Sequence, residues 1–599
     1  MGIQRKKGWI MGYILYFLII LNFSFFYSKR TNRNFLITIP TIFFGICLAL
    51  YTSGILFSSF QPGIILINVL SIPIFIWNIV EFFKRHKQEK GNYKNFLLVL
   101  IIYIVIIIIF KNFKFNVWDD FSHWALTVKN MITFNRLPNG PESTIFFKTY
   151  PPITGILQYS FNYYCNLFHN GNIESNSLII TSFFISTVLL SIISMKEIKK
   201  NNLKSILFVF LLLVLAILNK EVYRSLYVDS ILGLMGAYII IYFESTKYNL
   251  TSIKVRLFDL VLATMFLTLV KATGSAIVIF CLIYFIIGLF TSSDRKRDIV
   301  IIIFIILSSH LIKKSWGHYL IKTNTQEIWH TSKITINSIL NIFKGNGETY
   351  QYNTIANFFK AILGNSIGFV PYIVYFLLII AVLFIKWRKD KSDITLKLFV
   401  FNSVIMIIYP ISLLLMYVFI FSAEEAENLA SFSRYLSTIL IFLIIIDVYF
   451  LLSEEQINKS KKLFIFILII LALSNSTIKK LTYGRSKELK KIEELRNSVT
   501  LPNEVITKNS KIYFVSQDDN GIKFWVYRYL ITPIKTQNGY YTKDGDILKE
   551  LGDYDYLYLN NVDQSFENKY KNLFVGKIES NKYYKINKAN NVIKLEILN

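Results

Sequence analysis

Two adjacent carboxylates and a histidine lie close together in the stretch VWDDFSHW, residues 117–124, directly after a long apolar run. In a helix, Asp120 and His123 would be three residues apart and Asp119 and His123 four apart, so their side chains would share neighbouring faces. A carboxylate at an apolar boundary has a raised pKa that suits a general base. The same three residues would also provide ligands for a divalent metal ion such as Mg²⁺ or Mn²⁺. The simpler alternative is that Asp119 only caps a helix.

Further charged residues stand at the ends of apolar runs: Arg224 and Asp229 in EVYRSLYVDSILG, Lys271 in LVKATGSA and Arg434 in SFSRYLS. The KATG sequence predicts a break between two helices, where backbone amides favour an anion. These residues are candidates for binding an anion or another part of a substrate, together with Tyr150, which the two following prolines hold extended. The alternative is that the long cationic side chains only snorkel to the membrane surface and that the aromatic residues only anchor there.

The whole chain is far too apolar for a soluble globular protein. Of its 599 residues 53% are hydrophobic, and the mean hydropathy is +0.45. The net charge of +27 comes mainly from short loops and the C-terminal tail. That distribution indicates membrane topology and attraction to anionic lipid, not nucleic-acid binding. The three cysteines show neither a disulfide framework nor a metal-binding pattern.

About fourteen apolar segments are predicted to cross the membrane as helices. They lie near residues 8–27, 35–57, 63–83, 96–110, 176–194, 205–219, 229–244, 257–272, 274–290, 299–312, 366–386, 398–421, 435–453 and 463–475. From the third segment onward every second loop is basic, which places those loops in the cytoplasm and the others outside. The first segment follows basic residues as in a signal peptide, but no small-residue cleavage site follows it, so we expect it to be retained.

The chain after the last apolar segment has a different composition. The runs SKIYFVSQ, FWVYRYLI and YDYLYLNN are rich in aromatic and β-branched residues and predict strands, while DDNG, TQNGY and KDGD predict turns. The charged run RSKELKKIEELRNSV before them predicts a helix. The predicted organisation is transmembrane helices over 1–110, a first external loop with interfacial helices over 111–175, a transmembrane core over 176–478 that includes an external loop at 313–365, and a small external α/β domain over 479–599.

The order of these motifs resembles the GT-C superfamily of polytopic membrane glycosyltransferases. The resemblance rests on the acidic pair in the first external loop, the YPP segment later in that loop, the YVDSILG helix start, the VKATG turn and the external α/β tail. The most similar branch includes protein O-mannosyltransferases, aminoarabinose transferases of lipid A and bacterial membrane transferases of surface-polysaccharide loci. The resemblance covers nearly the whole chain in architecture but only short motifs in sequence.

The resemblance implies an α-helical multi-pass enzyme of the cell membrane that moves a sugar from a polyprenyl-phosphate donor to a glycan, lipid or protein acceptor on the outer face, usually with inversion. Asp119 or Asp120 would be the base. A cation would stabilise the leaving phosphate, because a fixed cation acts more strongly where water is scarce. Lys271 is the first candidate for this role, and Arg224 and Arg434 are the others. The branch often has Asp-Glu where this chain has Asp-Asp, which leaves the base unassigned, and its members differ in metal use.

Three other classes of protein share some of these features. A polysaccharide polymerase also acts on lipid-linked sugars outside the cell, but a tail domain of this size is not expected of it. A lipid-linked oligosaccharide flippase would carry charges deep within helices that line a cavity, whereas the candidate charges here lie at predicted external helix ends. A receptor that uses the tail as a binding module leaves the acidic pair unexplained. The sequence therefore favours the transferase.

Overall fold

The chain forms two units that alternate along the sequence. The first unit comprises Met1–Asn112 and Thr149–Thr477, and the second comprises Phe113–Lys148 and Ile478–Asn599. The boundary after Lys148 divides the loop 111–175 between the two units. The computed structural model describes residues 2–84, 90–140, 142–168, 171–196, 198–247, 252–290, 292, 294–325, 334–452, 455, 485–500, 504–517, 519–539, 547–589 and 592–598.

The first unit is built from helices and one short hairpin, in which β1 (Ser366–Ile367) pairs antiparallel with β2 (Val370–Pro371). Its described helices are Gly2–Thr31, Phe35–Phe57, Gln61–Lys84, Lys90–Phe110, Ile153–Asn166, Ile173–Met195, Asn201–Leu218, Asp229–Ser245, Ile253–Thr268, Gly274–Leu289, Arg295–Lys322, Ile336–Phe343, Thr349–Gly364, Tyr372–Asp390, Asp393–Phe419, Ala423–Glu427 and Phe432–Leu451.

Seven of the described helices have the length and composition to cross a membrane, which is the signature of a helical membrane protein. They are Ile10–Thr31, Phe35–Phe57, Gln61–Lys84, Ile173–Met195, Arg295–Lys322, Asp393–Phe419 and Phe432–Leu451. Three shorter apolar helices, Lys94–Phe110, Asn202–Leu218 and Gly274–Leu289, accompany them. The predicted segment 463–475 lies outside the described residues.

Several predicted boundaries differ from the structure, and the differences around the predicted loop 313–365 change its content. The segment predicted at 299–312 is part of a helix that continues to Lys322, because the two lysines that lower the hydropathy at 313–314 do not interrupt helical backbone bonding. The predicted loop 313–365 therefore contains the end of that helix and two further helices. The segment predicted at 366–386 begins as a helix only after Pro371, since the residues before it form the hairpin.

The aromatic helix Ile153–Asn166 is buried in the first unit. The Tyr16 hydroxyl lies 2.8 Å from the Ser160 hydroxyl, and the ring of Tyr13 stacks on Phe161 with centroids 5.2 Å apart. Tyr159 and Tyr164 are also buried. These rings pack against protein, which is not the arrangement expected of aromatic residues that only anchor a helix at the lipid surface.

The second unit contains a mixed six-stranded sheet of β3 (Lys511–Ser516), β4 (Lys535–Gly539), β5 (Tyr556–Asn561), β6 (Phe574–Val575), β7 (Lys582–Ala589) and β8 (Val592–Ile597), in the order β4-β3-β5-β7-β8-β6. The strands β4, β3 and β5 are parallel, whereas β7 is antiparallel to both β5 and β8. One face packs on an apolar core that includes Val515, Leu557 and Phe566. The helices of the tail are Arg485–Asn497, Ile522–Ile531, Leu548–Leu551 and Gln564–Tyr570. The sheet confirms the predicted α/β tail.

The run FWVYRYLI is a helix, Ile522–Ile531, and not the predicted strand. Parallel strands β3 and β4 need a crossover connection, which is usually a helix, and this run supplies it. The buried residues Phe524 and Tyr527 are three positions apart and lie on one helical face. The predicted turn TQNGY begins inside β4, because these residues pair with β3.

Residues of the segment 113–148 pack with the tail domain. Helix Ala125–Phe134 follows a π-helical turn at Asp120–Trp124. The ring of Phe121 meets that of Tyr529 edge-on at 5.5 Å, and Lys129 Nζ donates to the Leu530 carbonyl oxygen at 3.0 Å. The polar residue Asn130 is buried as fully as its apolar neighbours. The segment therefore differs from the predicted interfacial helix, which would expose a polar face.

Candidate phosphate-binding site

Three helix N-termini of the first unit converge at Asp229, which opens the helix Asp229–Ser245. This helix packs closely against Phe432–Leu451. A Cβ on Gly233 would lie only 2.4 Å from the Thr438 carbonyl oxygen, which shows how near the two backbones are. Small residues let helices in a membrane approach in this way. Gly233 of the first helix contacts Thr438 of the second. Four residues earlier on each helix, Asp229 contacts Arg434. The two helices are thus parallel and start side by side.

The Asp229 carboxylate lies between two cations. Lys271 Nζ is 3.5 Å from Oδ1, and Arg434 Nε is 3.4 Å from Oδ2. The Asp229 side chain is 3% exposed, while those of Lys271 and Arg434 are 11% and 15% exposed. Two cations and one carboxylate leave a net positive charge in a site of low water content, where charge interactions are strong. The arrangement can therefore accept an anion.

Aromatic rings position both cations. Lys271 Nζ lies 5.0 Å from the centre of the Tyr435 ring and 5.9 Å from that of Tyr150. Arg434 Cζ lies 3.7 Å from the centre of the Tyr227 ring, a distance typical of a cation–π contact. The sequence did not single out Tyr227 or Tyr435, although each stands within two residues of a selected charge. Their position became evident only from the packing of the helix ends.

The predicted residues Lys271, Asp229, Arg434 and Tyr150 are thus brought together. The backbone amide of Ile153 donates to the Leu269 carbonyl oxygen at 3.2 Å, which ties the YPP segment to the turn that carries Lys271. Arg224 is buried in the loop that precedes Asp229, with 7% exposed. Asp119, Asp120 and His123 belong to the second unit.

The turn before Gly274 is expected to depend on the absence of a side chain there. The helix Ile253–Thr268 ends before Lys271 and the next begins at Gly274, as the KATG pattern predicts. A Cβ at Gly274 would lie 2.1 Å from the Leu267 carbonyl oxygen, which belongs to the backbone and cannot shift as the end of a flexible side chain can. We expect Gly274→Ala to lower the unfolding free energy by about 1–3 kcal/mol and to displace Lys271. Thermal unfolding of the purified protein in detergent would measure the loss.

The matched control is Gly45→Ala. Gly45 lies inside the helix Phe35–Phe57, and a Cβ there meets no atom within 4 Å. Alanine is favoured over glycine in a helix by about 1 kcal/mol, so this variant should be neutral or slightly more stable. Equal melting temperatures for the two variants would contradict the steric explanation.

In the second unit, Asp120 and His123 lie in the π-helical turn, a form that is often found at functional sites. Asp120 is fully buried, and the His123 ring meets those of Trp124 and Phe147 edge-on at 4.6 and 5.5 Å. Asp119 is partly exposed at the start of the turn, and its side chain makes no capping hydrogen bond. The interpretation of Asp119 as a helix cap is therefore wrong.

The expected metal site at Asp119, Asp120 and His123 does not fit the structure. Among the described residues, no three histidine, cysteine, aspartate or glutamate side chains are grouped as metal ligands. Consecutive residues of a helical turn point in directions about 100° apart, so Asp119 and Asp120 diverge. The His123 ring is packed between aromatic rings. We derive no chemical step through a metal held by these residues.

Sequence reasoning missed a second group of buried charges in the first unit. Asp259 accepts a hydrogen bond from the Tyr27 hydroxyl at 2.8 Å and pairs with Arg33. Arg256 is fully buried and lies 3.7 Å from the Asp298 carboxylate, which is also 2.7 Å from Lys247. Several of these residues stand in loops whose basic character indicated only topology.

Comparison with known proteins identifies no relative of this chain. No protein-family model matches the chain, and neither a curated protein nor a solved structure matches it.

Proposed function

We propose that this protein is a membrane glycosyltransferase that moves a sugar from a polyprenyl-phosphate donor to a cell-surface glycan, lipid or protein. The observation that supports the proposal best is the pair of cations, Lys271 and Arg434, held by one carboxylate and by aromatic rings in the helical membrane unit. A lipid-linked donor keeps its isoprenoid tail in the bilayer, so its phosphate must be bound by a protein surface within or beside the membrane. A fixed, poorly hydrated cation pair is suited to that anion.

In the proposed reaction, the acceptor hydroxyl oxygen attacks the anomeric carbon of the sugar. A new carbon–oxygen bond forms on the face opposite to the phosphate, and the bond between that carbon and the phosphate oxygen breaks, so the anomeric configuration inverts. The electron pair of the broken bond goes to the phosphate oxygen of the polyprenyl phosphate, so the negative charge of this leaving group increases. Lys271 and Arg434 stabilise this charge more than the charge of the bound donor, which is the condition for faster chemistry.

The hydroxyl proton goes to a carboxylate that acts as general base. Asp119 takes this role in the proposal, because a base must reach the hydroxyl that it deprotonates and Asp119 is partly exposed. Asp120 is buried and would be a positioning residue, as would His123. Asp229 orients the two cations and has no separate chemical step.

The membrane topology is part of the same proposal. About fourteen helices cross the membrane, including short ones that pack inside the protein. In the proposed topology, which the alternation of basic loops favours, Lys271, Arg434 and the α/β domain lie on the extracytoplasmic side.

Transfer of radiolabelled sugar from polyprenyl-phosphate donors to a membrane-extracted acceptor pool would test the function. We expect Asp119→Asn to lower the rate at saturating donor by about 10²–10⁴-fold, since positioned bases contribute this much. Asp393→Asn is the control, because it removes an exposed carboxylate at the start of another helix. Equal rates for wild type and Asp119→Asn would refute the assignment of the base, and an inactive wild type would refute the transferase.

A flippase for lipid-linked sugars is the second candidate, and the buried charges at Asp259, Arg256 and Asp298 favour it. Ionisable groups inside membrane helices commonly mark transport pathways. Here, however, each of these charges has an opposite charge within 4 Å, which is also expected of a purely structural network. Transport assays in vesicles distinguish the two functions, because a flippase moves the labelled lipid without changing its chemical form.

A further inference from the structure

The second unit contains a cavity of about 300 Å³ at the amino-terminal ends of the parallel strands β3 and β4. This volume is at the lower end of the range for small-molecule sites in proteins. The cavity lies within one unit, since the residues around it belong to the segment 113–148 and to the tail domain. The lining includes Ser143, Lys511, Arg528, Lys535, Thr536 and Asp553.

The charge of the cavity is strongly positive. Lys511 and Lys535 are exposed at its rim, Arg528 is half-buried, and Asp553 is the acid beside them. Burial and then repulsion from Arg528 and Lys535 lower the pKa of Lys148, whereas the nearby Glu142 carboxylate acts in the opposite direction. Glu142 also interacts with Lys535, so Lys148 and Glu142 together add no net charge beside the lining residues. Three cations and one carboxylate in the lining leave about two positive charges unbalanced.

Two polar atoms of the lining residues have no hydrogen-bond partner within the described part of the chain. They are Nε of Arg528 and Oγ1 of Thr536, and both are shielded from solvent. Thr536 is 6% exposed, and burial lowers the pKa of the Arg528 guanidinium to about 10. A buried donor without a partner is destabilising, so a ligand that accepts hydrogen bonds here would offset part of that penalty.

The position of Arg528 is fixed by its neighbours. Its guanidinium carbon lies 5.3 Å from the ring of Trp525 and 5.6 Å from that of Phe524, one helical turn away or less. A guanidinium held in place in this way loses little conformational entropy when it binds an oxyanion.

We propose that this cavity binds a phosphate monoester group, with Arg528, Lys511 and Lys535 as its charge partners and Thr536 as a neutral hydrogen-bond donor. The proposal is independent of the transferase reaction. It requires only that the second unit recognises a terminal phosphate, either on a soluble phosphorylated sugar or on a lipid headgroup.

The charge balance favours a monoester over other anions. A phosphate monoester carries about −1.5 to −2 at pH 7, which matches the two unbalanced positive charges of the cavity. A phosphodiester or a carboxylate carries a single negative charge and would leave one cation without compensation. Arginine and lysine together are also common ligands of phosphate.

Full-length protein in phosphatidylcholine nanodiscs would be titrated calorimetrically with glycerol 3-phosphate, and with acetate as the singly charged comparison. In a second arm, the same nanodiscs would be tested for flotation with phosphatidylcholine vesicles that contain either phosphatidic acid, a monoester, or phosphatidylglycerol, a diester. Binding of glycerol 3-phosphate identifies a soluble source. A response to phosphatidic acid alone identifies a lipid headgroup.

Three variants connect binding to the cavity. Lys535→Gln is expected to weaken binding of the monoester about tenfold, and Thr536→Val about fivefold, as expected for one charged and one neutral hydrogen bond. Lys585→Gln, an exposed lysine on β7, is the control and should change nothing. Thr536→Val also separates binding from folding, because removal of a buried hydroxyl without a partner should not destabilise the domain.

Two results would overturn the proposal. One is the absence of any response to glycerol 3-phosphate and phosphatidic acid. The other is an equal loss of binding in Lys535→Gln and Lys585→Gln, which would show a general effect of surface charge. Neither result depends on sugar transfer, so failure here is distinguishable from failure of the transferase.

Discussion

Replacing Lys271 with glutamine is expected to reduce sugar transfer at saturating donor by about 10²–10³-fold, which corresponds to about 3–4 kcal/mol of transition-state stabilisation. The reason is that Lys271 is one of two cations around Asp229 and carries its charge in a nearly dry site. Since the phosphate gains charge only as the glycosidic bond breaks, the rate at saturation should fall much more than the affinity for the donor. Initial rates over a series of donor concentrations would separate the two effects.

The fold should survive this substitution, because Arg434 still pairs with Asp229 in the variant. Lys360→Gln is the control, since it removes a lysine from an exposed position of the same unit. Lys271→Arg should retain part of the activity, because the charge remains while its position changes. A Lys271→Gln enzyme with a normal rate and a raised Michaelis constant would contradict a role in the transition state and would leave only donor binding.

The apolar helices could be predicted from the sequence for a simple physical reason. A chain in lipid must satisfy its backbone hydrogen bonds internally, so long uncharged runs become helices wherever they occur. The same reasoning fails where lipid does not dictate the structure. The run FWVYRYLI has the composition of a strand, but its place between two parallel strands makes it a helix.

The charged end of the first unit was partly predictable. Lys271, Asp229 and Arg434 were selected because each stands at a predicted helix end, and the structure brings them into contact. The tyrosines beside them were not selected, because aromatic residues are frequent at membrane surfaces and sequence alone cannot show which ones face a cation.

The sequence could not reveal the buried ion pairs. Arg256 and Asp298 are 42 positions apart by their numbering and occur in segments that look like ordinary basic loops. Whether a charge near a helix end is solvated or buried depends on which other helices pack around it. This packing is a property of the tertiary structure and is not visible in the local sequence. The GT-C resemblance stays a prediction for a related reason, since its motifs are short and local.

The largest stability effect is expected at Asp259. This carboxylate is fully enclosed, accepts a hydrogen bond from Tyr27 at 2.8 Å, and contacts both Arg33 and the Tyr242 hydroxyl. Asp259→Asn leaves Arg33 as a buried cation without its counter-charge, which should lower the unfolding free energy by about 3–5 kcal/mol. Unfolding by denaturant or heat of the protein in detergent would measure the change.

Two further variants determine whether the cost comes from the abandoned charge. Asp447→Asn removes another carboxylate that is buried in the first unit, but this carboxylate accepts a hydrogen bond from the neutral amide of Asn402 at 3.1 Å, so the loss should be small. In the double variant Arg33→Gln with Asp259→Asn, both charges are absent, and most of the stability should return because no ion remains buried alone. If the double variant is as unstable as Asp259→Asn, the lost stability comes from packing and hydrogen bonds around Asp259 and not from Arg33.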